Sequence, residues 1–140
     1  MPAGEAINFS GTGFVLKVIV MPFIKVKVSC AVSPEQESEL KAGMGKAIEL
    51  VPGKSEEYLL LEFEDNCRLW LQGKNEEPIA YIEAAIFGNE PHYGYDAFTA
   101  EVTTLFVKVL NIRPDHIYIK YEDIIAWGVQ SMYIDRNQYR

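Results

Sequence analysis

The sequence repeats one arrangement twice, in which a strand-like run leads through a helix-like run to a second strand-like run. The runs are residues 23–28, 34–51 and 58–63 in the first half, and residues 79–87, 96–111 and 117–121 in the second half. Two neighbouring strands joined through a helix pair in parallel. The pattern therefore predicts an α/β fold, classed as α+β in some schemes. It would have two pseudo-symmetric β-α-β units, with a four-stranded mixed sheet and two helices on one face.

The predicted helices begin and end at recognisable residues. Ser33 suits the N-cap of the first helix, Pro34 suits its first helical position, and Gln36 completes a capping box. Turns that contain proline, at residues 52–53 and 113–115, end the two helices. These local signals support the boundaries of the repeat.

Two segments lie outside the repeat. Residues 66–77 hold Leu69-Trp70-Leu71 between polar clusters, which suits a short edge strand or a hairpin. Residues 124–134 are apolar and aromatic and are followed by a polar end.

The face of the predicted sheet that no helix covers indicates an oligomer. A chain of 140 residues forms one domain with a modest core. Two helices on one face leave the other face bare, and the many Val, Ile, Leu and Ala residues of the strands predict that this bare face is apolar. A partner normally covers an exposed apolar surface of that size.

Composition excludes several classes of partner. The chain has 20 acidic and 13 basic residues and a net charge of −7, so we expect no nucleic acid and no anionic membrane as partners, since both need basic patches. Cys30 and Cys67 are too few for a disulfide framework or a zinc site, which favours a reducing cytoplasm. His92 and His116 have no partners at ligand spacing, so we expect no metal site.

The first twenty residues leave two interpretations open. No apolar run reaches the roughly 20 residues of a membrane span, and Lys17 and Glu5 argue against a secretory signal. Either Met21 is the true start, or residues 1–20 are a genuine extension whose segment 14–20 adds a strand. We therefore divide the chain into an extension or mis-assigned start at 1–21, a domain at 22–134 and a polar tail at 135–140.

Pro22 stands at the mouth of the first strand, directly after Met21. If Met21 starts the chain and is removed, the nitrogen of Pro22 becomes a secondary amine. An α-amino group titrates near pH 7.7–8.0 and apolar burial lowers this pKa, which gives a base suited to neutral pH. The alternative is a proline that only begins a strand. This holds if Pro22 is internal, because a nitrogen in a peptide bond has no basicity.

Several motifs occur in one order between residue 22 and about residue 131. They are Met21-Pro22-Phe23-Ile24, Gly53-Lys54 with Tyr58 behind it, Glu77-Pro78-Ile79-Ala80 leading to Ile86-Phe87-Gly88, and Arg113-Pro114-Asp115-His116-Ile117-Tyr118-Ile119. Together they resemble the tautomerase superfamily, and in particular its macrophage migration inhibitory factor branch. The resemblance implies a homotrimer with an inner β barrel, and a keto–enol tautomerase for 2-oxo acids of the phenylpyruvate type that needs no cofactor.

The resemblance also implies roles for single residues. Pro22 would be the catalytic base, Lys54 would bind the carboxylate of the substrate, and the backbone N–H of Phe87 would contact the substrate. On pattern alone a solvated turn residue is the favoured interpretation of Lys54. A lysine beside Pro22 would lower the pKa of the proline, because like charges disfavour protonation.

Three further residues complete the implied pocket. Tyr58 would lie near its entrance, and Tyr118 and Lys120 would come from the adjacent subunit; the alternative for both tyrosines is an ordinary half-buried strand aromatic. Mammalian members carry asparagine at the position of Lys120, so this lysine predicts a substrate with a second anionic or accepting group. The Cys-x-x-Cys of some relatives is replaced by Ile79 and Ile82, which makes thiol oxidoreductase activity improbable.

The function expected from these residues is tautomerisation. Another class remains open, namely a non-catalytic binding or cytokine-like protein whose pocket is vestigial, which an amide at Pro22 would favour. A plain ferredoxin-like domain without a site is a third interpretation. We expect a cytoplasmic protein, and members of the resembled family also leave cells without a signal peptide.

Overall fold

The computed structural model describes residues 21–138. The predicted N-terminal extension and its added strand therefore lie outside the described residues. The helices and strands are β1 (Phe23–Val28), α1 (Pro34–Ala47), β2 (Leu60–Glu64), β3 (Ala80–Phe87), α2 (Tyr95–Leu110), β4 (Ile117–Ile124), β5 (Ala126–Val129) and β6 (Met132–Asp135).

The main sheet has four strands in the order β2-β1-β3-β4. β1 pairs in parallel with β2, β3 pairs in parallel with β4, and β1 and β3 are antiparallel. The two predicted β-α-β units and the mixed sheet are thus confirmed. The apolar segment near the C-terminus forms a separate antiparallel hairpin of β5 and β6.

Local signals set the ends of α1 as the sequence predicts. The Ser33 hydroxyl oxygen accepts a hydrogen bond from the backbone N–H of Gln36 over 3.1 Å, and the side-chain oxygen of Gln36 accepts one from the N–H of Ser33 over 2.9 Å. This capping box satisfies two amides that the helix cannot bond internally. α2 begins at Tyr95 after Gly94, one residue before its predicted start.

Other boundaries differ from the prediction. A 3₁₀ turn at Glu56–Tyr58 precedes β2, so the strand starts at Leu60 rather than at Tyr58. Within residues 66–77 the pairing reduces to a single β-bridge between Leu71 and Lys74. In both segments the extent of strand pairing depends on how the chain turns beforehand, and the spacing of apolar residues does not show this.

The hydrophobic core lies between the sheet and the two helices. Its fully buried side chains include Ile24 and Val26 on β1, Ile82 on β3, Leu40 and Met44 on α1, and Phe98, Val102 and Phe106 on α2. Full burial of one such side chain stabilises the fold by about 2 kcal/mol. The sheet face toward the helices therefore holds most of the branched apolar residues.

The open face of the sheet carries charged side chains across its middle beside exposed apolar and aromatic ones, so this face is mixed and not apolar as predicted. Lys25 on β1 lies opposite Glu62 on β2 and Glu83 on β3, and Glu83 lies opposite Lys120 on β4. These four residues form what we call the charged row. Successive strand residues alternate between faces, so the apolar residues counted in the sequence lie mainly on the helix side.

The β5–β6 hairpin covers one end of the open face. Phe87, at the end of β3, and Ile134 are both buried there and pack with Ile124, Trp127, Val129 and Met132. An ion pair of 3.2 Å between Arg136 and Glu90 joins the end of the hairpin to the loop after β3. Between residues 21 and 138, no helix is long and apolar enough to cross a membrane.

Candidate active site

A cavity of about 380 Å³ opens where β1 begins. Its lining comes from the start of β1, the 3₁₀ turn before β2, the start of β2 and the hairpin strand β5. The lining residues are Met21, Pro22, Glu57, Tyr58, Leu59, Leu60, Trp127, Gly128 and Val129. Most of these side chains are apolar, and we call this space the Pro22 cavity.

The parallel ladder holds Pro22 in the wall of this cavity. The Pro22 carbonyl oxygen accepts a hydrogen bond from the backbone N–H of Leu60 over 3.0 Å, which extends the pairing of β1 with β2. Pro22 is buried, whereas Met21 before it is partly exposed. In a chain that retains Met21 the Pro22 nitrogen is an amide, and in a chain that begins at Pro22 it would be a secondary amine beside the cavity.

Lys54 is a buried cation near the same end of the sheet. Its side chain is only 5% exposed, and Nζ donates a hydrogen bond to the Phe87 carbonyl oxygen over 2.9 Å. Phe23 pairs with Ala85, so the same antiparallel register continued by two residues brings Phe87 opposite Met21. The Lys54 ammonium is thereby tied to the strand end that lies beside Pro22.

Burial changes the acidity of Lys54. Loss of water around the ammonium lowers its pKa from 10.5 to about 8. At pH 7 about nine-tenths of a group with this pKa still carries its positive charge. An ammonium has three N–H donors, and one of them is taken by Phe87. The other two donors remain for further partners, and Lys54 itself is not among the residues that line the Pro22 cavity.

Phe87 is placed differently from what its proposed role suggests. Its carbonyl oxygen accepts from Lys54, and its side chain is buried under the β5–β6 hairpin. The side chain does not line the Pro22 cavity. A contact between the Phe87 N–H and a substrate therefore stays a prediction.

The aromatic wall of the cavity comes from Tyr58 and Trp127. Tyr58 lies in the 3₁₀ turn before β2, and Trp127 lies in β5. The indole nitrogen of Trp127 is buried and has no hydrogen-bond partner among the described residues. The two rings make this end of the cavity suited to an apolar or aromatic group.

Tyr118 and Lys120 lie away from the Pro22 cavity. Tyr118 lies opposite Tyr81 and lines a second cavity of about 230 Å³ with Trp70, while Lys120 lies opposite Glu83. The partner of Phe87 on β4 is Ile124, four residues beyond Lys120, which is about 13 Å along a strand. One chain therefore brings together Pro22, Lys54, Tyr58 and Phe87 but not Tyr118 or Lys120.

Comparison with known proteins identifies the family. The family model for macrophage migration inhibitory factor matches residues 21–132. The chain belongs to the macrophage migration inhibitory factor family. A search of curated proteins found no match.

Solved structures of two macrophage migration inhibitory factor proteins and of a further protein, Pt0534, share this fold. MIF2 of Leishmania major is 23% identical with a TM-score of 0.74, and the match covers 82% of this chain and 98% of that one. The homologue from Prochlorococcus marinus is 25% identical with a TM-score of 0.67, covering 79% and 97%. Pt0534 inactivated by 2-oxo-3-pentynoate is 10% identical with a TM-score of 0.65, covering 73% and 85%.

Sequence reasoning within this family missed several residues of the cavity. Met21, Glu57, Leu59 and Leu60 line it without having been predicted. Their neighbours in sequence, Pro22 and Tyr58, were recognised, so adjacency was the available signal. Which neighbour faces the cavity depends on the 3₁₀ turn and on the hairpin packed against it.

Between residues 21 and 138 no group of three or more His, Cys, Asp or Glu side chains is placed to hold a metal ion.

Proposed function

We propose that this protein is a keto–enol tautomerase for 2-oxo acids of the phenylpyruvate type, with Pro22 as the general base. The observation that carries the proposal is a buried proline at the mouth of a strand, in an aromatic-walled cavity, with a buried lysine ammonium tied to the adjacent strand end. The activity requires that Pro22 is the first residue of the mature chain.

The proposed reaction moves one proton between carbon and oxygen. The neutral Pro22 nitrogen takes a proton from the carbon next to the substrate carbonyl. The C–H electron pair forms a C=C bond, and the carbonyl oxygen gains the electron density. The protonated Pro22 nitrogen then returns its proton to that oxygen, which yields the enol and restores the neutral base. Proton transfer by a positioned base accelerates such steps by about 10²- to 10⁴-fold.

Lys54 would have two parts in this reaction. Its free N–H donors would bind the substrate carboxylate, since hydrogen bonds between charged groups are about twice as strong as neutral ones. Its positive charge would also disfavour protonation of Pro22, because like charges repel, and so keep the amine basic but unprotonated at neutral pH. Burial of Lys54 strengthens both effects, because water screens them less.

Similar folds support the substrate class. Pt0534, which shares this fold at low identity, is described as inactivated by 2-oxo-3-pentynoate, itself a 2-oxo acid. The aromatic wall of Tyr58 and Trp127 suits a phenyl group. We propose a 2-oxo acid with an aromatic or apolar body as the substrate.

The site would be completed by assembly. Tyr118 and Lys120 lie on the open face, away from the Pro22 of their own chain. In the homotrimer that we propose, with three sheets around an inner barrel, they would form the far wall of the Pro22 cavity of a neighbouring copy. We also propose residues 22–134 as the folded domain, residues 135–140 as a tail, and the cytoplasm as the location, with release that needs no signal peptide.

The deciding experiment joins intact mass to activity. The mass of the protein from its own source shows whether the chain begins at Pro22, at Pro2 or elsewhere, and the same sample is assayed with phenylpyruvate. We expect a chain that begins at Pro22 to be active and its Pro22→Gly variant to lose activity by about 10²-fold or more. Unchanged turnover in folded Pro22→Gly would overturn the proposed base.

The second candidate is a non-catalytic binding or cytokine-like protein. The observation in its favour is that Pro22 follows Met21, so that in a chain retaining both residues the proline nitrogen is an amide. A native mass that retains residues 1–20, with no tautomerase activity in a folded sample, would select this function. The cavity would then bind ligands without converting them.

A further inference from the structure

Glu57 is the one acidic or basic residue in the lining of the Pro22 cavity, among the residues the structure describes. It belongs to the 3₁₀ turn Glu56–Tyr58 and is exposed. Its carboxylate makes no ion pair with any described residue, whereas Glu56 beside it pairs with Lys41 over 3.1 Å. Glu57 therefore places an uncompensated negative charge at the rim of the cavity.

The opposite charge is that of Lys54, which lies near the same end of the sheet but is not among the residues that line the cavity. This ammonium is buried and tied to the Phe87 carbonyl. If Lys54 binds one anionic group of a ligand, as we propose, any second anionic group left near the rim faces Glu57. Repulsion between two unit charges several Å apart is appreciable at a protein surface, although salt weakens it.

The second cation expected from the sequence does not offset this repulsion. Lys120 lies opposite Glu83 in the charged row, and Lys25 in the same row lies between Glu62 and Glu83. The row holds two positive and two negative side chains. A neighbouring copy that brought Lys120 to the cavity would bring Glu83 beside it.

We infer that Glu57 is a specificity-determining residue that restricts the cavity to monoanionic 2-oxo acids with an uncharged, apolar far end. Acids with a second carboxylate at that end would be rejected. This inference rests on the proposed function for its substrate class and replaces the expectation of a dianionic substrate drawn from Lys120.

Binding can be tested apart from catalysis. The ligands are 3-phenylpropanoate and 3-(4-carboxyphenyl)propanoate. They share one carbon skeleton, differ by one carboxylate and have no ketone to tautomerise. The reporter is the fluorescence of Trp127 in the full chain carrying Trp70→Phe, because Trp70 lies at the second cavity. Glu57→Gln is compared with Glu56→Gln, whose carboxylate has a lysine partner and does not line the Pro22 cavity.

We expect the protein that keeps Glu57 to bind the monoanion more tightly than the dianion. Glu57→Gln should tighten dianion binding by about fivefold at low salt, which is the size expected for removing one nearby like charge. Monoanion binding should change little, and Glu56→Gln should leave the ratio of the two affinities unchanged. The gain from Glu57→Gln should shrink at high salt.

Three outcomes would overturn the inference: an unchanged affinity ratio in Glu57→Gln, a wild-type preference for the dianion, or no binding of either ligand. Turnover of phenylpyruvate and 4-carboxyphenylpyruvate is measured on the same proteins. If the predicted binding pattern appears without any turnover, the proposed tautomerase function fails while the role of Glu57 stands.

Discussion

The ammonium of Lys54 donates a 2.9 Å hydrogen bond to the carbonyl oxygen of Phe87. This contact joins the turn before β2 to the end of β3, two segments that flank the start of β1. It holds a positive charge in a place where the side chain is 5% exposed. The pKa of Lys54 is lowered by that burial to about 8, within the range in which the protein can be studied.

The first prediction concerns the pH profile of tautomerase activity. Above pH 8 Lys54 loses its proton, so the cation that we propose binds the substrate carboxylate disappears and kcat/KM should fall about tenfold per pH unit. In Lys54→Arg the guanidinium stays charged at these pH values. The alkaline fall should therefore vanish or move to higher pH in that variant, as measured by initial rates with phenylpyruvate. An identical alkaline limb in both proteins would remove Lys54 from substrate binding.

The second prediction concerns stability. Between pH 8 and 10.5 the unfolded chain holds a proton on Lys54 that the folded chain has lost, so the free energy of unfolding should rise with pH in this window. Relative to Lys54→Met, the gain should approach about 3 kcal/mol. Urea unfolding of both proteins measures it.

The comparison with Lys54→Met isolates this one group. Burial also raises the pKa of Cys30 and takes that of Tyr95 to about 12, but both groups are present in both proteins and their contributions cancel. Parallel stability curves for the two proteins would show that the Lys54 ammonium is not destabilised by burial.

The third prediction compares two glycines with left-handed backbone angles. Gly94 has φ of +82° and Gly73 has φ of +76°, so alanine strains both sites by about 1 kcal/mol. A Cβ at Gly94 would also overlap the Leu50 carbonyl oxygen, whereas nothing lies within 4 Å of one at Gly73. Gly94→Ala should therefore cost at least about 2 kcal/mol more than Gly73→Ala in urea unfolding. Equal losses would mean that Leu50 and Gly94 are not packed as described.

The fourth prediction tests the shared site of the proposed trimer. Pro22→Gly and Tyr118→Ala subunits, each inactive alone, should regain activity when unfolded and refolded together, because a neighbour supplies the missing residue. Random mixing of equal amounts leaves about a quarter of the sites intact. Rates with phenylpyruvate before and after mixing measure the recovery.

The control for mixing uses two residues of the same chain. Pro22 and Lys54 lie at one end of one sheet, so both would reach a given site from the same subunit. The control pair is therefore Pro22→Gly and Lys54→Ala. No mixture of these subunits can restore an intact site. Recovery in the control as well as in the test pair would argue against a site shared between copies.

Local chemistry explains why much of the fold was predictable. The Ser33 and Gln36 capping box, the proline turns and the helix crossovers each depend on residues close in sequence, and the structure confirms the β-α-β units. The start of β2 was harder, because the 3₁₀ turn at Glu56–Tyr58 is set by contacts with other elements. The face of the sheet was misjudged because apolar residues were counted without separating alternate positions, although Lys25 and Lys27 mark the polar side.

The candidate site was predictable only in part. The resemblance pointed to Pro22, Lys54 and Tyr58, and the structure brings these residues to one end of the sheet. Glu57 was missed because its exposure to the cavity depends on the β5–β6 hairpin, which is distant in sequence. The bond from Lys54 to the Phe87 carbonyl joins residues 33 positions apart, and no local pattern reports such a contact.

The charged row also affects how a single chain behaves before it associates with other chains. A newly folded monomer exposes to water, and to other chains, the part of the open face that the β5–β6 hairpin does not cover. Charged side chains that point from a sheet are one means by which proteins avoid adhesion between sheets. In this row each lysine stands beside a glutamate. The charged row therefore disfavours adhesion between single chains. In the trimer that we propose, each copy that covers this face would bring a glutamate beside each lysine.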